Sequence, residues 1–165
     1  MKRGFTLIEL LMVIVIVGLL VTVALPKYKM SLERGRGLEA FANATAWSDA
    51  VNAYYITNYN SYYDSDGTAK KAFEYASSVA PKTEEKDFLQ PDAYNSPNFS
   101  LDDGVLTINI VRNLNDADKV YKISFVNKDG KIFSRQCLAA NGSTAEKYCH
   151  AMGAKDAAKG GWTFD

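Results

Sequence analysis

From Phe5 to Leu25 the chain carries 21 consecutive residues with one ionisable side chain, Glu9. At 1.5 Å per residue, a helix of that length spans the roughly 30 Å hydrocarbon core of a bilayer. Lys2 and Arg3 precede it, and by the positive-inside rule they hold the N-terminus on the cytoplasmic side, with the rest of the chain beyond the membrane. Past Pro26 the pattern changes. Ala40, Phe41, Ala44, Trp47, Ala50, Val51 and Tyr54 recur at three- and four-residue steps, which predicts a helix from Tyr28 to about Asn58. Its single apolar stripe is wide enough to dock on a sheet, with Asn43, Asp49 and Asn52 on the opposite side.

Two points interrupt this long helical pattern. Gly18 is a poor helix former and Pro26 lacks a backbone donor, so the stretch between them is where the helix is expected to kink or melt. Gly35 and Gly37 each weaken a helix by about 1 kcal/mol relative to alanine. They mark either the junction where the helix enters a globular head or a loop, Ser31–Gly37, between two helices.

From Tyr59 to about Gly104 turn and breaker residues dominate: Asn60-Ser61, Asp64-Ser65-Asp66-Gly67, Ala80-Pro81, Gln90-Pro91 and Ser96-Pro97. This predicts a long connector with one short helical piece around Ala69–Ser78. Beyond it the period drops to two. Val105–Arg112, Lys119–Asn127 and Gly130–Gln136 are rich in β-branched and aromatic residues, and Asn127-Lys128-Asp129-Gly130 reads as a hairpin turn with Gly130 at positive φ. With Trp162-Thr163-Phe164 as a candidate last strand, the expected head is a three- to four-stranded antiparallel meander packed on the helical stripe. A lone hairpin is not stable in water, so helix and sheet need each other.

Size and charge fit one exported subunit. The 165 residues carry 19 cationic and 19 acidic side chains. Without the apolar segment, about 140 residues remain for one small core. No basic excess points to nucleic acid. Glu9 is the exception that asks for chemistry, because a carboxylate near the bilayer centre costs about 2.5–3.5 kcal/mol to insert. The segment is a secretory signal peptide, a permanent signal-anchor, or a helix whose final surroundings are not lipid. Thr22-Val23-Ala24 loosely resembles a cleavage site, but the apolar stretch exceeds that of ordinary signal peptides.

The run Lys2-Arg3-Gly4, then Phe5-Thr6-Leu7-Ile8-Glu9, then an apolar stretch containing Gly18 and ending at Pro26, resembles the class III signal and N-terminal helix of type IV prepilins and the related pseudopilins. The resemblance implies a leader peptide over residues 1–4, cleaved after Gly4 by a prepilin peptidase, and N-methylation of the new terminus at Phe5. It implies a transmembrane or filament-core helix over 5–26, the amphipathic half of the same helix over 27–58, a connecting region over 59–104, and a sheet with a disulfide-bounded C-terminal region over 105–165. The implied fold is α+β, with the apolar half of the long helix protruding. Glu9 would pair with the N-terminal ammonium of a neighbouring subunit during filament assembly. The implied partners are copies of the chain in a helical filament, the inner membrane before assembly, the prepilin peptidase and the assembly machinery. The implied path runs from a membrane precursor with a periplasmic head to an extracellular pilus. Physics supports the pairing: cleavage creates a cation at Phe5, and each buried charge relieves the other only in register.

Cys137 and Cys149 lie in a Gly/Asn/Ser-containing segment. In an exported domain, two such close cysteines read as a disulfide, worth about 3 kcal/mol on the chain-entropy model. The resemblance points the same way. A metal site with His150 is the alternative, but the spacing lacks a Cys-x-x-Cys pair. Asp64–Gly67 fails as a calcium loop, because aligning Gly67 with the loop glycine puts Tyr62 and Phe73 at ligand positions. One histidine, no nucleophile elbow and no phosphate-binding glycine loop leave no catalytic constellation and imply no cofactor. Three functions remain: a type IV pilus subunit serving adhesion or twitching motility, a pseudopilin of a type II secretion system, and a signal-anchored periplasmic binding module that never polymerises. Tyr59, Tyr62, Tyr63, Tyr75 and Tyr94 are read first as cover for a small core and second as contacts between subunits. Most of the aromatic residues sit where core contacts account for them, which disfavours electron conduction.

Overall fold

A computed structural model describes residues 5–59, 68–82, 87–94, 96–102, 104–157 and 161–164. Helix α1, Leu7–Tyr59, runs for 53 residues, about 80 Å at the standard rise. It passes unbroken through Gly18, Pro26, Gly35 and Gly37, so no loop separates two helices at 31–37. Helix α2, Thr68–Val79, packs against α1. The short strands β1, Phe88–Leu89, and β2, Phe99–Asp102, follow, and then β3, Val105–Arg112. A 3₁₀ turn at Ala117–Lys119 leads to β4, Lys122–Lys128, and β5, Lys131–Leu138. Helix α3, Thr144–Ala151, and strands β6, Lys155–Ala157, and β7, Gly161–Thr163, complete the head.

The strands form one antiparallel sheet in the order β1-β3-β4-β5-β7-β6, and β2 shares the outer side of β3 with β1. The meander β3-β4-β5 is the expected one. Asp129 and Gly130 both take positive φ, 49° and 74°, in a two-residue turn flanked by the pair Lys128↔Lys131. β4 starts three residues later than its apolar pattern suggests, because Asp116 accepts from the Asp118 N–H and caps the 3₁₀ turn there. The stretch 59–104 holds α2 where the short helical piece was expected, and beyond it more order than its turn residues imply, namely β1 and β2. These strands are too short to show a period, and their pairing with β3 supplies what local propensity lacks.

One face of the sheet receives α1. Leu106, Ile108 and Ile110 of β3 and Ile123 and Phe125 of β4 are buried with Ala40, Ala44, Trp47, Val51 and Tyr55 of α1. Phe41 meets the rings of Phe125 and Phe164 edge-on at 5.0 Å, and the Arg135 guanidinium lies over Phe41 and Phe125. Trp47, Phe73 and Phe99 join α1, α2 and β2. Asn43 departs from the expected pattern: it is buried, not on the solvent side, on a helix that packs against the sheet, α2 and α3. Tyr94 packs partly buried against the core, Tyr75 is exposed, and Tyr62, Tyr63 and Asp64–Gly67 lie outside the described residues.

Candidate functional site

The apolar arm is the first part of the site. Residues 5–29 of α1 and its lead-in are all solvent-exposed, including Phe5, Leu7, Ile14, Leu20 and Leu25. This arm holds a window long and apolar enough to cross a membrane, none of it buried in the fold. At its tip, Thr6 and Glu9 form a reciprocal cap. The Thr6 N–H donates to Glu9 Oε2 at 2.8 Å, Thr6 Oγ1 donates to the same oxygen at 2.7 Å, and the Glu9 N–H points back to Thr6 Oγ1 at 3.3 Å. This is the Thr-x-x-Glu capping box, which satisfies donors that a helix start leaves open. The motif stands in the sequence beside the reading of Glu9 as a carboxylate in search of a partner. In the single chain, that partner is Thr6. Gly4 lies outside the described residues; Phe5 is exposed at the tip, and Gly18 and Pro26 lie within the continuous arm.

The second part is the junction where the arm meets the head, and sequence reasoning missed its residues. Arg112, at the end of β3, grips Glu33 of α1 with both nitrogen positions: Nε to Oε2 at 3.1 Å and Nη2 to Oε1 at 2.9 Å. Its Nη1 donates to the Asp87 carbonyl at 2.5 Å and to Asp87 Oδ1 at 3.2 Å. Arg36 adds a bond to Glu33 Oε1 at 2.8 Å and lies 3.7 Å from Asp87, and the Arg112 guanidinium sits over the Phe88 ring. Glu33 and Arg112 are buried. Burial works against ionisation of Glu33, but hydrogen bonds and charge from Arg112 and Arg36 outweigh it and hold the carboxyl below the usual glutamate range. The Tyr121 hydroxyl, 3.5 Å from Glu33 Oε2, is pushed upward by burial and by that carboxylate. A signal for this pair was present. Glu33 falls in phase with the stripe through Gly37, Ala40 and Ala44, and Arg112 in phase with Leu106, Ile108 and Ile110: two opposite charges on buried faces.

Cys137 of β5 and Cys149 of α3 are joined by a disulfide with Cα atoms 5.7 Å apart. Helix α3 was not expected. Its start carries a variant of the capping box: Ser143 Oγ, at the N-cap, accepts from the Glu146 N–H at 3.1 Å, and the N–H of the preceding Gly142 donates to Glu146 Oε2 at 2.5 Å. At its end, Met152 lies against Gly37 of α1, so close that a Cβ on Gly37 would fall 1.7 Å from Met152 Sδ. Gly37 is thus a packing residue, not a helix break. His150 is exposed, 3.7 Å from Glu146. Among the described residues no group of three or more His, Cys, Asp or Glu side chains gathers as a metal site.

Comparison with known proteins bears on the arm. Residues 1–25 match the family described as the prokaryotic N-terminal methylation motif. The chain is 45% identical over 58 residues to the type IV major pilin protein PilE1 of Neisseria gonorrhoeae, a match covering 35% of each. It is 46% identical over 54 residues to the fimbrial protein EcpC of Eikenella corrodens, covering 33% of this chain and 35% of that one. It is 41% identical over 51 residues to a fimbrial protein of Moraxella nonliquefaciens, covering 31% and 33%. The chain thus spans about a third of the length of these relatives. No solved structure matches it. Residues 1–25 carry the N-terminal methylation motif, and about a third of the chain is similar to type IV pilins and fimbrial proteins.

Proposed function

We propose that the protein is a structural subunit of a type IV pilus, made as a membrane precursor and polymerised through the apolar arm into an extracellular filament that serves adhesion or twitching motility. One observation carries this reading. An apolar helical arm, bare on every side, projects from a head that has buried its own core. A helix apolar all round needs lipid or a bundle of like helices around it. In the proposed sequence, prepilin peptidase cleaves after Gly4, the amine of Phe5 is methylated, and Glu9 exchanges its bond to Thr6 for the ammonium of a neighbouring chain. Carboxylate and ammonium then act as a depth gauge, since a buried pair returns little net energy but penalises any misregister. The stretch from Gly18 to Pro26, helical in the single chain, is the part we expect to loosen in the filament. The disulfide and the head would then form the outer surface.

Mass spectrometry of the native N-terminus tests processing: methyl-Phe5 is expected, and an intact Met1 overturns the proposal in favour of a signal-anchored module. Electron microscopy of sheared surface filaments, with peptide identification, tests the assembly. Long filaments containing this chain are expected, and short periplasmic assemblies alone assign it to a secretion pseudopilus.

A further inference from the structure

Polar contacts fix both ends of the Glu33–Ser48 segment of the docked helix. Glu33 meets Arg112 at one end, and Ser48 bonds the Asn127 side-chain amide at the other, where Asn127 pairs with Leu106. Fifteen helical residues rise about 22 Å, and the six from Leu106 to Arg112 in a strand rise about 20 Å. The helix therefore lies antiparallel along β3 with matched ends. Between its exit and Ser48, the buried stripe begins with Gly37, Ala40 and Ala44, which offer little shape to resist rotation or sliding. Among the described residues, Phe41, partly buried, Met152 against Gly37, and the buried Asn43 and Trp47 near Ser48 add relief there.

We propose that Glu33, Arg112 and Asp87 are positioning residues that set the register and exit direction of the long helix on the head, while contributing little to the head's stability. This inference goes beyond the pilus reading and holds whether or not the chain polymerises. The warrant is the energetics of buried ions. A bidentate pair taken out of water gains about as much as it loses by desolvation, so an apolar replacement of both partners is close to neutral. A misplaced helix, in contrast, strands Glu33 against Leu and Ile side chains or leaves Arg112 facing them. The groups around Glu33 are Arg36 on α1, Asp87 before β1, Arg112 on β3, Tyr121 before β4 and Tyr148 on α3. The carboxylates in this set of described residues are Glu33 and Asp87.

The test uses the full chain in detergent micelles, with ¹³C-methyl methionine. Met152 reports the junction and Met12 the arm. In Glu33→Leu/Arg112→Leu the melting temperature is expected to stay near that of the parent, while the single Met152 signal broadens or splits and Met12 is unmoved. A sharp, unshifted Met152 signal in that variant overturns the proposal, as does a large loss of melting temperature with Met152 unchanged. Should the double variant fail to fold, the parent chain decides. Lowering the pH through and below the usual glutamate range is expected to split Met152 while the sheet's amide signals persist, and Glu33→Gln should show the split already at neutral pH. A Met152 signal that stays single until the whole sheet unfolds overturns the proposal.

Discussion

Helix α1 is one element with two halves under opposite constraints. Over residues 5–29 it is apolar on all sides and exposed. Beyond Met30 it is apolar on one stripe, and that stripe is buried, with Glu33 the one charge within it. The first half is made for surroundings the single chain does not contain; the second half is complete within the chain. Each half also handles its carboxylate differently. Glu9 is capped by two bonds from Thr6, local and exchangeable, whereas Glu33 is held by Arg112 of β3 and by Arg36 of its own helix. The contrast teaches that an exposed local cap can be surrendered to a partner at small cost, and a buried long-range pair cannot.

The largest effect should come from breaking the arm's carboxylate. On the proposed assembly, Glu9→Leu is expected to insert in the membrane normally but to lose most filament yield, since it would leave each Phe5 ammonium buried without a partner, at about 3–5 kcal/mol per subunit. Quantifying sheared filaments against membrane-bound chain measures this; parental yield would sink the assembly role. In the docked half, Arg112→Met strands Glu33 among apolar side chains and should cost about 3–5 kcal/mol in denaturant unfolding of the full chain. The same pair predicts an acid limb. The folded pKa of Glu33 is depressed, so its contribution is present above the ordinary glutamate value and disappears as pH falls through the lower folded value. Denaturation midpoints followed from pH 7 downward should decline for the parent and decline less for Glu33→Gln.

Reduction of Cys137–Cys149, or Cys137→Ala/Cys149→Ala, should cost about 3 kcal/mol by the loop-entropy argument, and both thiols should resist alkylation until reduced. Gly37→Ala crowds Met152 and should cost about 1–3 kcal/mol, recovered in part by Met152→Ala in the same chain. Thr6→Ala should be the mildest, fraying the first turn by about 1 kcal/mol without moving the head's unfolding midpoint. Amide exchange at residues 7–10 would register it. A drop in head stability would refute the separation between the two halves.

Legibility followed the range of the interactions. The arm, the stripe, β3, β4, β5, the Asp129-Gly130 turn and α2 were readable because each rests on a local period or a turn preference. β1 and β6 were not, being two or three residues long and held only by neighbours. The start of α3 was readable in principle from Ser143-Thr144-Ala145-Glu146, the same pattern as Thr6-Leu7-Ile8-Glu9. In both places another role for the segment, disulfide loop or assembly carboxylate, stood in front of the cap. Asn43 is buried where the stripe predicts solvent, because α1 packs against the sheet, α2 and α3, and a single stripe describes only one of them.

The sequence by itself determined that a long apolar helix precedes a small antiparallel head, and that Glu9 is the one ionisable side chain within the apolar run. Those are consequences of composition and period, which act residue by residue. Only the tertiary structure decided that Glu33 would meet Arg112 across 79 positions of chain, that Gly37 would make room for Met152, and that the disulfide read from the sequence would join a strand to an unforeseen helix. Such contacts depend on how α1 crosses the sheet, and that crossing is a balance of packing and desolvation summed over many residues, to which no local window has access.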